Sequence, residues 1–110
     1  MSAAQPADDL AWLTLAQASE LLRTKKLSPV EYTNALIARI ERLDPRLNAF
    51  LRATPDIALD DARRAEAEIQ RGNWRGPLHG MPYGLKDIID YTGLPTTAHS
   101  KILANNVATA

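Results

Sequence analysis

All five glycines of this 110-residue chain fall between Gly72 and Gly93. That placement divides the chain into a glycine-free front that can sustain helices and a back that must turn repeatedly. Within the glycine window, the run Gly76-Pro77-Leu78-His79-Gly80-Met81-Pro82-Tyr83-Gly84-Leu85-Lys86-Asp87 combines fixed turns with one unusual cation. Of the four lysines, Lys25 and Lys26 sit at a predicted helix end and Lys101 in a polar context. Only Lys86 is embedded in an apolar run, between Tyr83-Gly84-Leu85 and Ile88-Ile89. Any chemistry in this chain is expected near Lys86.

The front half reads as helices with identifiable starts. Thr14 and Gln17 form a capping box, in which the Thr14 hydroxyl accepts from the Gln17 amide and the Gln17 side chain reaches back. Leu15, Ala18, Leu21 and Leu22 then make a stripe, and Lys25 and Lys26 suit the negative end of the helix dipole. Ser28-Pro29-Val30-Glu31 starts a second helix, with Ser28 as N-cap, Pro29 at the first position and Glu31 completing the box. Its apolar face is Thr33, Leu36, Ile37, Ile40 and Leu43. Pro45 disfavours helical geometry at Asp44, so the helix is expected to stop near Leu43. These two helices make a helical hairpin. Thr54-Pro55 opens a third helix that Gly72 ends. Ala58, Ala62, Ala65 and Ile69 line one of its sides, and Asp60 is spaced to pair with Arg64.

Two strands are expected: a short one within Asn48–Ala53, and a longer one from Tyr83 to Tyr91 whose apolar run suits burial on both sheet faces. A helix between two strands implies a βαβ crossover with a parallel pair, hence an α/β fold. Typical sheets have about 5–6 strands, so the chain reads as the first part of a larger α/β domain, with residues 1–13 as a flexible tail and 14–110 as the domain portion. Were the chain to end at Ala110, the Tyr83–Tyr91 edge would be exposed and prone to aggregation.

Bulk properties exclude some functions. Thirteen basic and thirteen acidic residues cancel, leaving no electrostatic footprint for nucleic acid or an anionic membrane. There is no cysteine, so thiolate chemistry is absent. Residues 1–9 carry neither a basic n-region nor an apolar h-region, and no segment has the length of a membrane span. A cytoplasmic protein is the expectation. His79 and His99 lack the spacing and companions of metal ligands, so neither a metal nor another cofactor is expected. Trp74 is expected to cover a core edge.

On a strand, Lys86 shares a face with Gly84 and Ile88, and Asp87 points the other way. Gly84 leaves room beside it. Burial disfavours an ammonium, and a neutral lysine is a usable general base. The alternative is a lysine whose charge simply reaches water. A phosphate loop is a poor fit: the spacing fails G-x-x-x-x-G-K-[ST], and Asp87 would repel phosphate.

The run Pro77–Asp87, followed by Gly93, Thr96, Thr97 and Ser100, resembles the front part of the amidase signature family. Leu15–Leu22, Ser28–Glu31, Asp44-Pro45-Arg46-Leu47-Asn48-Ala49-Phe50 and the Ala62–Ile69 helix occur in that family's order. The resemblance implies an α/β/α fold with a large mixed sheet. It also implies hydrolysis of small-molecule amides, at C–N bonds other than peptide bonds, by a Ser–Ser–Lys triad through an acyl-enzyme. Lys86 matches the catalytic lysine, with Gly84, Asp87, Thr97 and Ser100 as site-lining or supporting positions. The triad serines lie in a Gly/Ser-rich segment well after the lysine. This chain has only Ser2, Ser19, Ser28 and Ser100, so it is expected to be inactive alone. Within the same resemblance, the protein is either a free amidase, as a possible homo-oligomer, or the glutamine-hydrolysing A-type component of a tRNA-dependent amidotransferase with B- and C-type partner subunits. A non-catalytic helical module that binds a partner through its hairpin is the alternative of another class.

Overall fold

The computed structural model describes residues 7–87 and 89–109. Four helices carry it: α1 (Ala7–Leu10), α2 (Leu15–Arg23), α3 (Pro29–Leu47) and α4 (Pro55–Gln70). The starts follow local chemistry. Thr14 Oγ1 accepts from the Gln17 amide at 3.1 Å while Gln17 Oε1 accepts from the Thr14 amide at 2.9 Å, a complete capping box. Ser28 Oγ accepts from the amides of Val30 (3.1 Å) and Glu31 (3.3 Å), and Pro29 and Pro55 occupy first positions that need no N–H donor. Thr54 makes no side-chain cap. Past α4, Gly72 takes a left-handed φ of 87°, which lets the chain turn away from the helix.

The core lies where α1, α2 and the first turns of α3 meet: Leu10, Ala18, Leu22, Leu27, Tyr32 and Ala35 are buried together. Trp74 and Met81 from the glycine-rich segment pack against this cluster, so Trp74 does cover a core edge. α4 lies against α3 and buries Ala62, Ala65 and Ile69. Small alanine side chains permit that close approach.

Several expectations fail for physical reasons. Helix α3 does not stop near Leu43; it runs through Pro45 to Leu47. Proline's fixed φ is compatible with a helix, and the one bond it cannot donate falls near an exposed end. The end is then closed by Asn48 in the left-handed region at φ 50° and by Asp44, whose Oδ1 accepts from the amides of Ala49 (2.7 Å) and Phe50 (3.0 Å). Those same bonds take up the donors that a strand over Asn48–Ala53 would have needed, and no strand forms there. The acid–base pairs on α4 are Asp60–Arg63 and Asp61–Arg64, three residues apart, rather than Asp60–Arg64. Residues 1–6 of the expected tail lie outside the described residues. Beyond them Ala7–Leu10 is helical and Leu10 is 1% exposed, while Trp12 is exposed.

The larger correction concerns the sheet. Among the described residues there is no β-strand, only an antiparallel bridge between Pro95 and Val107. Neither the parallel pair nor the mixed sheet forms from these residues, and Tyr83–Tyr91 is not a strand; Ile88 lies outside the described residues. A strand exists only when its amides find a ladder partner, and an apolar run without one cannot supply it. Side chains of the expected Tyr83–Tyr91 strand stay in water: Tyr83 is 74% exposed, and Leu85 and Ile89 are exposed too; Leu78 and Ile102 outside it are likewise exposed. The radius of gyration is 15.5 Å, against roughly 13 Å for a compact chain of about this length. The apolar surface is not closed. No described helix is long and apolar enough to cross a membrane.

Candidate functional site

The glycine-rich segment is fastened to the helices at its beginning. Gly80, at φ 79°, presses so closely on α3 that an added Cβ would lie 3.0 Å from Pro29 Cγ and 3.6 Å from Ile69 Cδ1. Beside it His79 is buried. The Arg75 amide donates to His79 Nδ1 at 3.1 Å. A backbone N–H can only donate, so Nδ1 is the acceptor and Nε2 carries the proton. That Nε2 faces Glu68 Oε1 on α4 at 3.2 Å, and the same oxygen accepts from the Arg75 guanidinium at 3.1 Å. The Trp74 ring lies 5.6 Å from the imidazole. His79 thus latches the segment to the end of α4. Sequence reasoning weighs His79 only as a metal ligand and misses this role; its place shortly beyond an acidic helix end is the available signal. An open concavity of about 370 Å³ is lined by Arg75, Gly76, Pro77, Leu78 and His79. Lys86 is not part of it.

From Met81 the chain runs without regular structure to Lys86 and turns there, with the Ile89 amide donating to the Lys86 carbonyl at 3.1 Å. Lys86 is exposed and Gly84 has open space around its Cα, with nothing within 4 Å of a built Cβ. The low-dielectric surroundings that the strand pattern implied for Lys86 are therefore not supplied by these residues.

Asp87, by contrast, is fully engaged. Its Oδ1 accepts from the Thr97 amide at 2.8 Å, and its Oδ2 accepts from the Thr97 hydroxyl and from the His99 amide at 3.3 Å. The Thr97 hydroxyl and amide together hold the Asp87 carboxyl below the usual carboxylate range. The Asp87 carbonyl accepts from the Ala98 amide at 2.8 Å. The loop so held is anchored at its base by the Thr96 amide donating to Asn106 O at 2.7 Å and by Asn106 Nδ2 donating to Thr96 O at 3.1 Å. Ser100 Oγ accepts from the Ile102 amide at 3.2 Å. Of the five predicted positions, the structure joins Asp87 to Thr97 directly, sets Ser100 at the end of the same loop through the Ser100 N–H to Thr97 O bond of 2.8 Å, and leaves Lys86 and Gly84 open to solvent.

The segment of turns latched to the helical layer thus ends in an exposed lysine next to the residue that clamps the 96–100 loop. Residues 31–110 match the Amidase family model, and this chain belongs to that family. It is 45% identical to the A-type component of the glutamyl-tRNA(Gln) amidotransferase of Chloroflexus aggregans over 96 residues, 87% of this chain and 20% of that protein. The corresponding protein of Dehalococcoides mccartyi is 43% identical over 90% of this chain and 20% of its own length. A protein of Mycobacterium tuberculosis named as an amidase, AmiD, is 41% identical over 86% and 20%. The chain thus spans about a fifth of the length of these relatives.

Proposed function

We propose that these residues contribute the lysine base of an amide-hydrolysing site, which is completed by serines from outside them. The observation that carries this is the Pro77–Asp87 run inside the region matched by the Amidase model; the resemblance of that run implies that Lys86 is the catalytic lysine. In this reading Lys86 Nζ takes a proton from a bridging serine, which takes one from a nucleophilic serine. The nucleophile adds to the amide carbonyl, the amine leaves with a proton, and water releases the acid from the acyl-enzyme. Serine needs such a base because its hydroxyl is a weak nucleophile at neutral pH.

Ser28 and Ser100 do not replace the missing pair. Ser28 is committed to capping α3 and Ser100 to the turn at Ile102. The exposed apolar side chains around Lys86 agree with a lysine that becomes desolvated only when further chain covers it. The 110 residues alone are accordingly expected to be inactive.

The test is amide hydrolysis, with glutamine and simple carboxamides as substrates, by the longest natural product of this reading frame and by residues 1–110. Lys86→Ala should lower kcat of the longer protein by at least roughly 10²–10⁴-fold, the usual worth of a positioned base. Clear turnover by the 110 residues that disappears in their Lys86→Ala variant would refute the inactivity. The identity of 45% to the A-type component of a glutamyl-tRNA(Gln) amidotransferase favours a second reading, in which the substrate is glutamine and the ammonia passes to partner subunits. Co-purification with such subunits supports it; a free homo-oligomer that turns over simple amides supports the first.

A further inference from the structure

We infer that Asp87 is a positioning residue for Lys86: its carboxylate clamps the Thr96–Ser100 loop to the backbone position next to the lysine and so fixes one wall of the lysine site. The inference rests on the reading of Lys86 as the base.

The loop needs a clamp because its conformation is unfavourable by itself. Ala98 and His99 both adopt left-handed φ angles, 47° and 59°. Residues with a Cβ hold that region only where surrounding structure imposes it. Thr96 is buried and its hydroxyl has no hydrogen-bond partner among the described residues, a further cost. Against these stand bonds within the loop, where the His99 amide also donates to Thr97 Oγ1 at 3.2 Å and the Ser100 amide to Thr97 O at 2.8 Å, and four bonds to Asp87. The Asp87 side chain takes the Thr97 amide, the Thr97 hydroxyl and the His99 amide, and its carbonyl takes the Ala98 amide. The two left-handed residues lie between and beside the groups that Asp87 holds, so the carboxylate bonds select this loop shape over its alternatives.

Lys86 makes the consequence functional. Its side chain is exposed and carries long, freely rotating methylenes, so its own contacts do not fix it. What is fixed is its neighbour. Because Asp87 is bound to the loop through both side chain and main chain, the Lys86 Cα lies one peptide unit from a fixed point and moves relative to residues 97–99 chiefly by rotation about the Asp87 N–Cα bond. Asparagine at position 87 would keep one acceptor oxygen for the Thr97 amide but replace the other with a donor, which cannot serve the His99 amide.

The experiment uses the intact amidase. Asp87→Ala should lower kcat about 10–100-fold with KM within roughly twofold, the effect of misplacing a catalytic group. Asp87→Asn should recover part of the loss. Hydrogen exchange of the peptide spanning residues 96–100 should accelerate in both, more in Asp87→Ala. Should Asp87→Ala fail to fold, Thr97→Val removes the hydroxyl arm alone and should show the same kcat-selective loss at smaller size. Loss of turnover in Lys86→Ala together with unchanged kcat in the foldable Asp87 or Thr97 variant overturns the positioning role alone. Unchanged turnover in Lys86→Ala overturns the base assignment and the positioning role with it.

Discussion

His79→Ala isolates the latch that fastens the glycine-rich segment to α4. The imidazole side chain is 2% exposed and bonds at both nitrogens. Removing it takes the acceptor from the Arg75 amide, a part-buried neutral bond worth about 1 kcal/mol net. It also removes the donor facing Glu68. A charge-assisted bond can reach about 3 kcal/mol, but the Glu68 side chain is 26% exposed, so water recovers much of it and about 1 kcal/mol is a fair share. The void left beside Trp74 adds about 1 kcal/mol if the loop partly collapses into it. Local stability should therefore fall by about 3 kcal/mol, which is roughly 100-fold in the opening equilibrium. The direct reporter is the Arg75 amide proton, whose acceptor is the deleted nitrogen. Its exchange rate at neutral pH, read by fragment-resolved hydrogen exchange, should rise by about that factor. Glu68→Gln keeps an acceptor oxygen and should change the rate only about fivefold or less. An Arg75 amide that exchanges equally fast in His79→Ala and the parent would show that the latch does not hold the segment.

Two further outcomes follow from the same region. Gly80→Ala should destabilise by about 1–3 kcal/mol, because its φ of 79° and the 3.0 Å approach to Pro29 both oppose a Cβ; Gly84→Ala, with open space around it, should shift the urea midpoint far less, and equal shifts would contradict the close-contact argument. The Asp87 clamp should weaken in acid. Its folded carboxyl titrates below the free value, chiefly through the Thr97 hydroxyl and amide with help from the His99 amide and charge. The stabilisation is therefore complete above the free aspartate value of about 3.9 and is lost as pH falls through that value and the lower folded one. Exchange protection of residues 96–100 measured between about pH 6 and 3 should decline at the acid end, and protection independent of pH would argue against the carboxylate as the clamp.

The sequence by itself determined where helices begin. The Thr14–Gln17 box, the Ser28 cap with Pro29, and Pro55 all act on amides within three residues, so their chemistry is complete within a few positions of the chain. The family was legible for a similar reason: the Pro77–Asp87 run is a local order of residue types. The end of α3 was less legible, since Pro45 signals a stop only if nothing else closes the helix, and Asp44 and Asn48 do so farther on. Only the tertiary structure decided what the glycine-rich half does. Whether Tyr83–Tyr91 is a strand depends on partners that no pattern within it contains. The Glu68–His79 latch joins residues eleven apart, and the Asp87–Thr97 clamp residues ten apart; turns that are individually flexible bring these groups together, and their side chains lock the result. Lys86 marks the boundary between the two kinds of information. Its residue type and motif name the chemistry, while its exposure is set by which surfaces are packed over it, a property of the assembled domain rather than of the run in which it sits.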